Sequence, residues 1–162
     1  GTSTHLGGEI LRLMAGVRMV HVPYKGAAPS ITALLSGEIT WLFGAILPTR
    51  PHIQSGRLRA IAVSSARPSS ALPGVPPVGD TLKGFDTSPW TGVAAPGGVP
   101  KDVIARLNQE IARGFSSPDI RDRLLREGNE VVLNSPEQFD AFFRGEMDKW
   151  AKVIRDAGIK LE

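Results

Sequence analysis

Apolar residues along this chain alternate between a helical and an extended spacing, and the switches outline helices and strands in turn. After Ser3 or Thr4, either able to cap a helix, Leu6, Ile10, Leu13 and Met14 fall at i, i+4, i+7 and i+8, with Gly16 as the stop. Met19 to Val22 reads as a strand ending at Pro23. A helix opened by Pro29 and carrying Ile31, Leu34 and Leu35 closes at Ser36-Gly37, and Ile39 to Phe43 is the next strand. This strand, corner, helix and strand describe a βαβ crossover. A short helix around Thr49 to Gln54, weakened by Pro51, leads past Gly56 to a strand at Leu58 to Ser64.

The prolines at 68, 73, 76 and 77 make Ser65 to Pro89 an irregular connection, with one helical turn near Val78 to Lys83. Trp90 to Ala95 is again strand-like, and Pro100 stands at the favoured first position of a helix with Val103, Leu107 and Ile111 on one stripe. Ser117-Pro118 opens another helix, with Ile120 and Leu124 expected inside and its end at Gly128; Glu130 to Leu133 is a strand. Ser135-Pro136-Glu137-Gln138 has the form of a capping box and predicts a long helix to about Ala157. Its expected buried face is Phe139, Phe142, Phe143, Met147, Trp150 and Ile154. The alternation predicts an α/β fold with a doubly wound parallel sheet.

Composition narrows the function classes. At 162 residues, with 41% hydrophobic and 22% charged positions, the chain can bury one sizeable core. The net charge of +3 comes from scattered lysines and arginines without a like-charged run, which argues against a nucleic-acid or membrane patch. Cysteine is absent, so disulfides, thiolate catalysis and cysteine-based zinc sites are excluded. The opening Gly1-Thr2-Ser3-Thr4-His5 is neither a signal peptide nor an initiator sequence, so the chain is expected to be processed, truncated or a fragment, and Leu161-Glu162 to be native or a cloning remnant.

In parallel sheets ligands collect beyond the carboxyl ends of strands, where helix N-termini favour negative charge. Four loops here qualify: Gly1 to Thr4, Tyr24-Lys25-Gly26, Gly44-Ala45 and Ala95-Pro96-Gly97-Gly98. The first is richest in donors, its three hydroxyls joining the helix amides, although a plain N-cap explains Ser3 or Thr4 equally well. Enzyme signatures fail: there is no His-Glu-x-x-His helix, no Gly-x-Ser-x-Gly elbow and no Walker loop. His21 reads as a packing residue and His52 as a surface-helix residue, while His5 is placed to touch a ligand. Asp119 with Asp122, and Glu137 with Asp140, complement helix dipoles without a catalytic task.

Several words of the chain, in order, form a larger pattern: Gly1-Thr2-Ser3-Thr4-His5-Leu6, Val22-Pro23-Tyr24-Lys25-Gly26, Pro51-His52-Ile53, Ala71-Leu72-Pro73-Gly74-Val75-Pro76, Pro89-Trp90, and Trp150-Ala151-Lys152-Val153-Ile154. This pattern resembles the periplasmic solute receptors of tripartite tricarboxylate transporters, the Bug proteins. The resemblance implies a periplasmic-binding-protein-like (type II) Venus-flytrap that closes on a small organic anion and presents it to membrane transporter subunits. It implies that the N-terminal half of the first lobe is missing from this chain, that residues 1–85 belong to the second lobe, and that 86–162 cross back to the first. Thr2, Ser3, Thr4 and His5, with Gly44 and Ala45, would line the cleft and hold a carboxylate without metal or cofactor. Many relatives carry an acidic residue where Gly44 stands, so the resemblance favours a simple carboxylate over an amino acid. Lys25 is read as a corner residue facing water.

The same resemblance implies a periplasmic location and no nucleic-acid partner. It also leaves the Phe/Trp helix face without the partners of a whole first lobe, so either self-association or rearrangement buries that face, or the missing part exists elsewhere. Two alternatives stand beside it: an accessory sensor signalling to a membrane kinase, and an α/β enzyme acting on a small organic acid through His5.

Overall fold

The computed structural model describes residues 2–159, so Gly1 of the expected ligand loop and the Leu161-Glu162 pair lie outside the described residues. Six α-helices follow one another: α1 (Ser3–Ala15), α2 (Ala27–Ser36), α3 (Ile46–Gln54), α4 (Lys101–Phe115), α5 (Pro118–Arg126) and α6 (Pro136–Ala157). One 3₁₀ turn, Val78–Asp80, lies between α3 and α4. The chain divides into two compact units: the first runs to Pro89 and takes up the chain again from Val153, and the second is Trp90–Lys152.

In the first unit, local chemistry starts and stops the helices. α1 ends at Gly16, whose left-handed backbone (φ 64°) returns its N–H to Arg12 C=O, and α2 ends likewise at Gly37 (φ 78°) on Ala33 and Leu34. Entry into α2 needs Gly26, because its φ of 104° is a conformation that side chains resist. The corner before it is tied down where Tyr24 Oη donates to Glu38 Oε1 at 2.9 Å. α2 packs on α3. The core consists of Ile10, Ile31, Ala33, Val63 and Phe85, the last only 2% exposed. Phe43 stacks over Phe85 at 6.3 Å between ring centres and takes the edge of Trp41 at 5.3 Å. Of the α1 stripe Ile10 is buried and Leu6 half-buried, whereas Leu13 and Met14 remain about two-fifths exposed.

The strand expectations need correction. Among the described residues, ladder pairing is confined to one isolated parallel bridge between Val63 and Pro77. Met19–Val22, Ile39–Phe43, Trp90–Ala95 and Glu130–Leu133 form no ladder, and Leu58–Ser64 contributes only its Val63 end. A ladder exists only where a second segment offers main-chain groups in register, and alternation of side chains reports an apolar face without reporting such a neighbour. Where a neighbour is present the bonds form: Val63 N–H donates to Pro76 C=O and Val78 N–H to Val63 C=O, both at 2.9 Å, and Thr87 N–H donates to Ser64 C=O at 3.0 Å. The proline-rich connection that looked merely irregular supplies these partners.

The second unit is built differently. α4 packs on α5, and Asn108 Nδ2 donates to Asn134 C=O at 2.9 Å. The capping box before α6 is realised: Gln138 N–H donates to Ser135 Oγ at 3.2 Å, and Ser135 N–H donates to Gln138 Oε1 at 2.9 Å. The expected burial of the α6 face is not found, with Phe142 and Phe143 each 43% and Met147 57% exposed. Ile120 and Leu124, expected inside, are respectively exposed and half-buried. An amphipathic stripe is covered only if another layer lies over it, and α4, α5 and α6 offer one another limited cover.

What replaces a core in this unit is an aromatic cluster. Trp90 meets Phe139, Phe142 and Phe143 edge-on at 5.8, 5.2 and 6.0 Å. Glu146 Oε2 accepts from both Trp90 Nε1 (3.0 Å) and Trp150 Nε1 (2.9 Å), while Lys149 Nζ donates to its other oxygen at 3.1 Å. The Phe139 ring lies against the main chain at Gly92, where an added Cβ would fall 2.3 Å from Phe139 Cζ.

Candidate functional site

α1 begins one residue earlier than a capping Ser3 would require, and two earlier than a capping Thr4. Thr2 is the N-cap, extended at φ −81° and ψ 164°, with its C=O accepting Leu6 N–H at 3.0 Å. No side chain closes the start of this helix. The Thr2 hydroxyl instead stands 2.8 Å from that of Thr4. Ser3 and Thr4 therefore lie within the first turn, which corrects the reading of either as the cap. Thr2, Ser3 and Thr4 are exposed, and the helix end carries partial positive charge from its amides.

His5, in the same turn, is half-buried, and its ring stacks on that of His21 with centres 3.8 Å apart and planes 6° from parallel. Its Nε2 is 3.9 Å from Glu9 Oε1, while Glu9 Oε2 accepts from Arg12 Nε at 2.7 Å. Burial holds the His5 imidazole below its ordinary value of 6.5; His21 pushes the same way, and Glu9 opposes them. Arg12 neutralises Glu9 through its other oxygen, Oε2, which limits what that carboxylate does for a charged His5. His21 was not legible as a partner from sequence, because the two rings meet only through the turn that follows α1.

Gly44 and Ala45 are exposed at the start of α3, with Ala45 as its extended N-cap (φ −65°, ψ 145°). Thr49 Oγ1 donates back to Ala45 C=O at 2.8 Å. A Cβ at position 44 would stand 3.1 Å from the Thr49 methyl, so glycine keeps this approach narrow and side-chain-free. α1 rests on the segment that leads into this loop: a Cβ at Gly7 would be 3.7 Å from the Phe43 ring and 3.2 Å from Thr87 Oγ1, and one at Gly8 would be 3.9 Å from Trp41. Two helix starts, each open to water and rich in small or hydroxyl residues, are thus carried by elements in contact. Lys25 is exposed, as expected of a corner residue.

The arrangement suits an oxygen-rich anion better than acid or base chemistry. Hydroxyl donors and helix amides can accept a carboxylate, each dipole contact contributing about 0.3–1 kcal/mol. Among the described residues no group of three histidine or carboxylate side chains is placed to hold a metal ion, and no helix is long and apolar enough to cross a membrane.

Comparison with known proteins bears on this geometry. The family described as tripartite tricarboxylate transporter family receptor matches residues 1–159. A UPF0065 protein in the tcbD-tcbE intergenic region of Pseudomonas sp. (strain P51) is 35% identical over 156 residues, which are 95% of this chain and 46% of that protein. The solved structure of an R. palustris protein with adipate superposes with a TM-score of 0.83 at 30% identity, over 98% of this chain and 54% of that one. The periplasmic binding protein BugD gives a TM-score of 0.75 at 31% identity, again over 98% of this chain and 54% of its own. The chain thus shares the periplasmic-binding-protein fold and spans about half the length of these three proteins.

Proposed function

This chain belongs to the tripartite tricarboxylate transporter receptor family, and from that premise we propose that it serves a periplasmic, non-enzymatic receptor for a small carboxylate, handed on to membrane transporter subunits. Within that receptor, residues 1–85 belong to the second lobe and 86–162 return to the first. The carboxylate is gripped by Thr2, Ser3, Thr4 and His5 at the start of α1 and by the main chain at Gly44 and Ala45 at the start of α3. The observation that carries this reading is the uncapped first turn of α1, whose three hydroxyl residues face water on an element seated against the segment before Gly44. Adipate bound to the R. palustris protein supports the choice of a small dicarboxylate as first probe.

A thermal-shift panel of mono-, di- and tricarboxylates, adipate included, tests it on these 162 residues and on a form extended to the length of the relatives. The extended form is expected to melt several degrees higher with one carboxylate class, because a ligand that binds only the native state stabilises it by mass action. Replacing Thr2 and Thr4 by valine should shrink that gain while leaving the ligand-free melting temperature near its original value. A folded extended form that answers none of the acids overturns the reading.

A further inference from the structure

We propose that the stacked His5–His21 pair is a proton-operated latch, closing the segment after α1 onto the first turn of that helix while at most one ring is charged and opening when both are. Two imidazoles 3.8 Å apart and nearly parallel attract as neutral aromatic faces, and tolerate one charge. With two charges they repel at a separation where little solvent can intervene. Glu9 and Arg12 are the charged side chains of α1 beside the pair. Glu9 is 3.9 Å from His5 but bound at 2.7 Å by Arg12, so it acts more as half of an ion pair than as a counter-ion to the imidazoles. Burial disfavours the charged His5 ring further. Because His5 is held below its ordinary 6.5, opening calls for acid.

The consequence for ligand capture rests on the receptor reading above. The latch sits in the same turn as Thr2, Ser3 and Thr4, so an anion arriving there favours the charged rings, and the opened pair offers it two imidazolium donors. Anion binding is then coupled to proton uptake, and affinity rises as pH falls.

The latch itself is tested without ligand. The imidazole carbon-bound protons of His5 and His21 are followed by NMR from about pH 8 to 5, the span of histidine titration. At the upper end a ring-to-ring nuclear Overhauser contact between His5 and His21 is expected, and it should vanish at the lower end. The His5 curve should be broadened or two-stepped, as a group coupled to a second charge titrates. His21→Ala should move the His5 midpoint upward, and His21→Phe, which keeps an aromatic face but removes the charge, should move it by less. A ring contact that survives at the acidic end, or a His5 curve unmoved by either variant, overturns the proposal.

Adipate titrations of the extended form at two pH values test the coupling, for which one linked proton sets a ceiling of about tenfold in affinity per pH unit. Equal binding at both values overturns the coupling. Absence of any adipate binding counts against the receptor reading for that acid, and leaves the NMR result to decide the latch.

Discussion

The two compact units solve the problem of apolar residues in opposite ways. Up to Pro89 the chain buries Ile10, Ile31, Ala33, Val63 and Phe85, although its helices are short and both α2 and α3 contain proline. From Trp90 to Lys152 no residue is buried, although α4 and α6 are longer and strongly amphipathic by pattern. A stripe on a helix is thus a demand for a neighbour and not a supply of one. The first unit meets the demand with connecting segments, such as 76–87, that fold back over the helices. The second meets it in part, with one tryptophan set among three phenylalanines and a carboxylate that ties down the polar edges of two indoles.

If this contrast is right, equivalent truncations should hurt the first unit more. Phe85→Ala, at a site with almost no exposure, is expected to cost about 3–5 kcal/mol in urea unfolding. Trp90→Ala removes a larger side chain that is 39% exposed, and should cost about 2 kcal/mol because much of its surface already meets water. Equal losses would erase the distinction. Ser135→Ala probes what the second unit gains from local rather than core terms. Losing the reciprocal bonds with Gln138 should cost about 1 kcal/mol, seen as fraying at the start of α6 in hydrogen exchange.

The smallest effect is a difference in acid response. His5 has its folded value below 6.5, so the unfolded chain binds more protons; its share of first-unit stability is whole above that value and fades as pH falls through the folded value. Glu146 is pushed up by burial, but hydrogen bonds from Trp150, Lys149 and Trp90 outweigh this and hold it below its ordinary 4.5. Its contribution is present above 4.5 and is lost only at stronger acidity, as pH passes the depressed folded value. Hydrogen exchange resolved by residue should therefore show the first unit loosening at a higher pH than the aromatic cluster. A simultaneous loss would mean that the two units answer acid as one.

What could be read from the residues alone tracks the range of the interaction. The stops at Gly16 and Gly37 and the capping box at Ser135 are local, and each was legible because the partners lie within a few residues. The strands were legible as extended apolar alternation but not as a sheet, because pairing depends on segments far away in sequence, or absent from these residues. At the candidate site the hydroxyl loop and Gly44-Ala45 stood out by composition, and the family likeness was carried by words spread along the chain. The cap at Thr2 lies one or two residues before the expected Ser3 or Thr4, within the usual uncertainty of helix ends. The His5–His21 stack had no local signature at all.

The contact between Phe139 and the bare backbone at Gly92 reaches beyond stability. A side chain at position 92 and a six-membered ring at position 139 compete for the same volume, so the two positions cannot drift independently during descent. In lineages where residue 92 has acquired a methyl group, position 139 should carry something slimmer than phenylalanine, a correlation readable from a sufficiently deep collection of related genes.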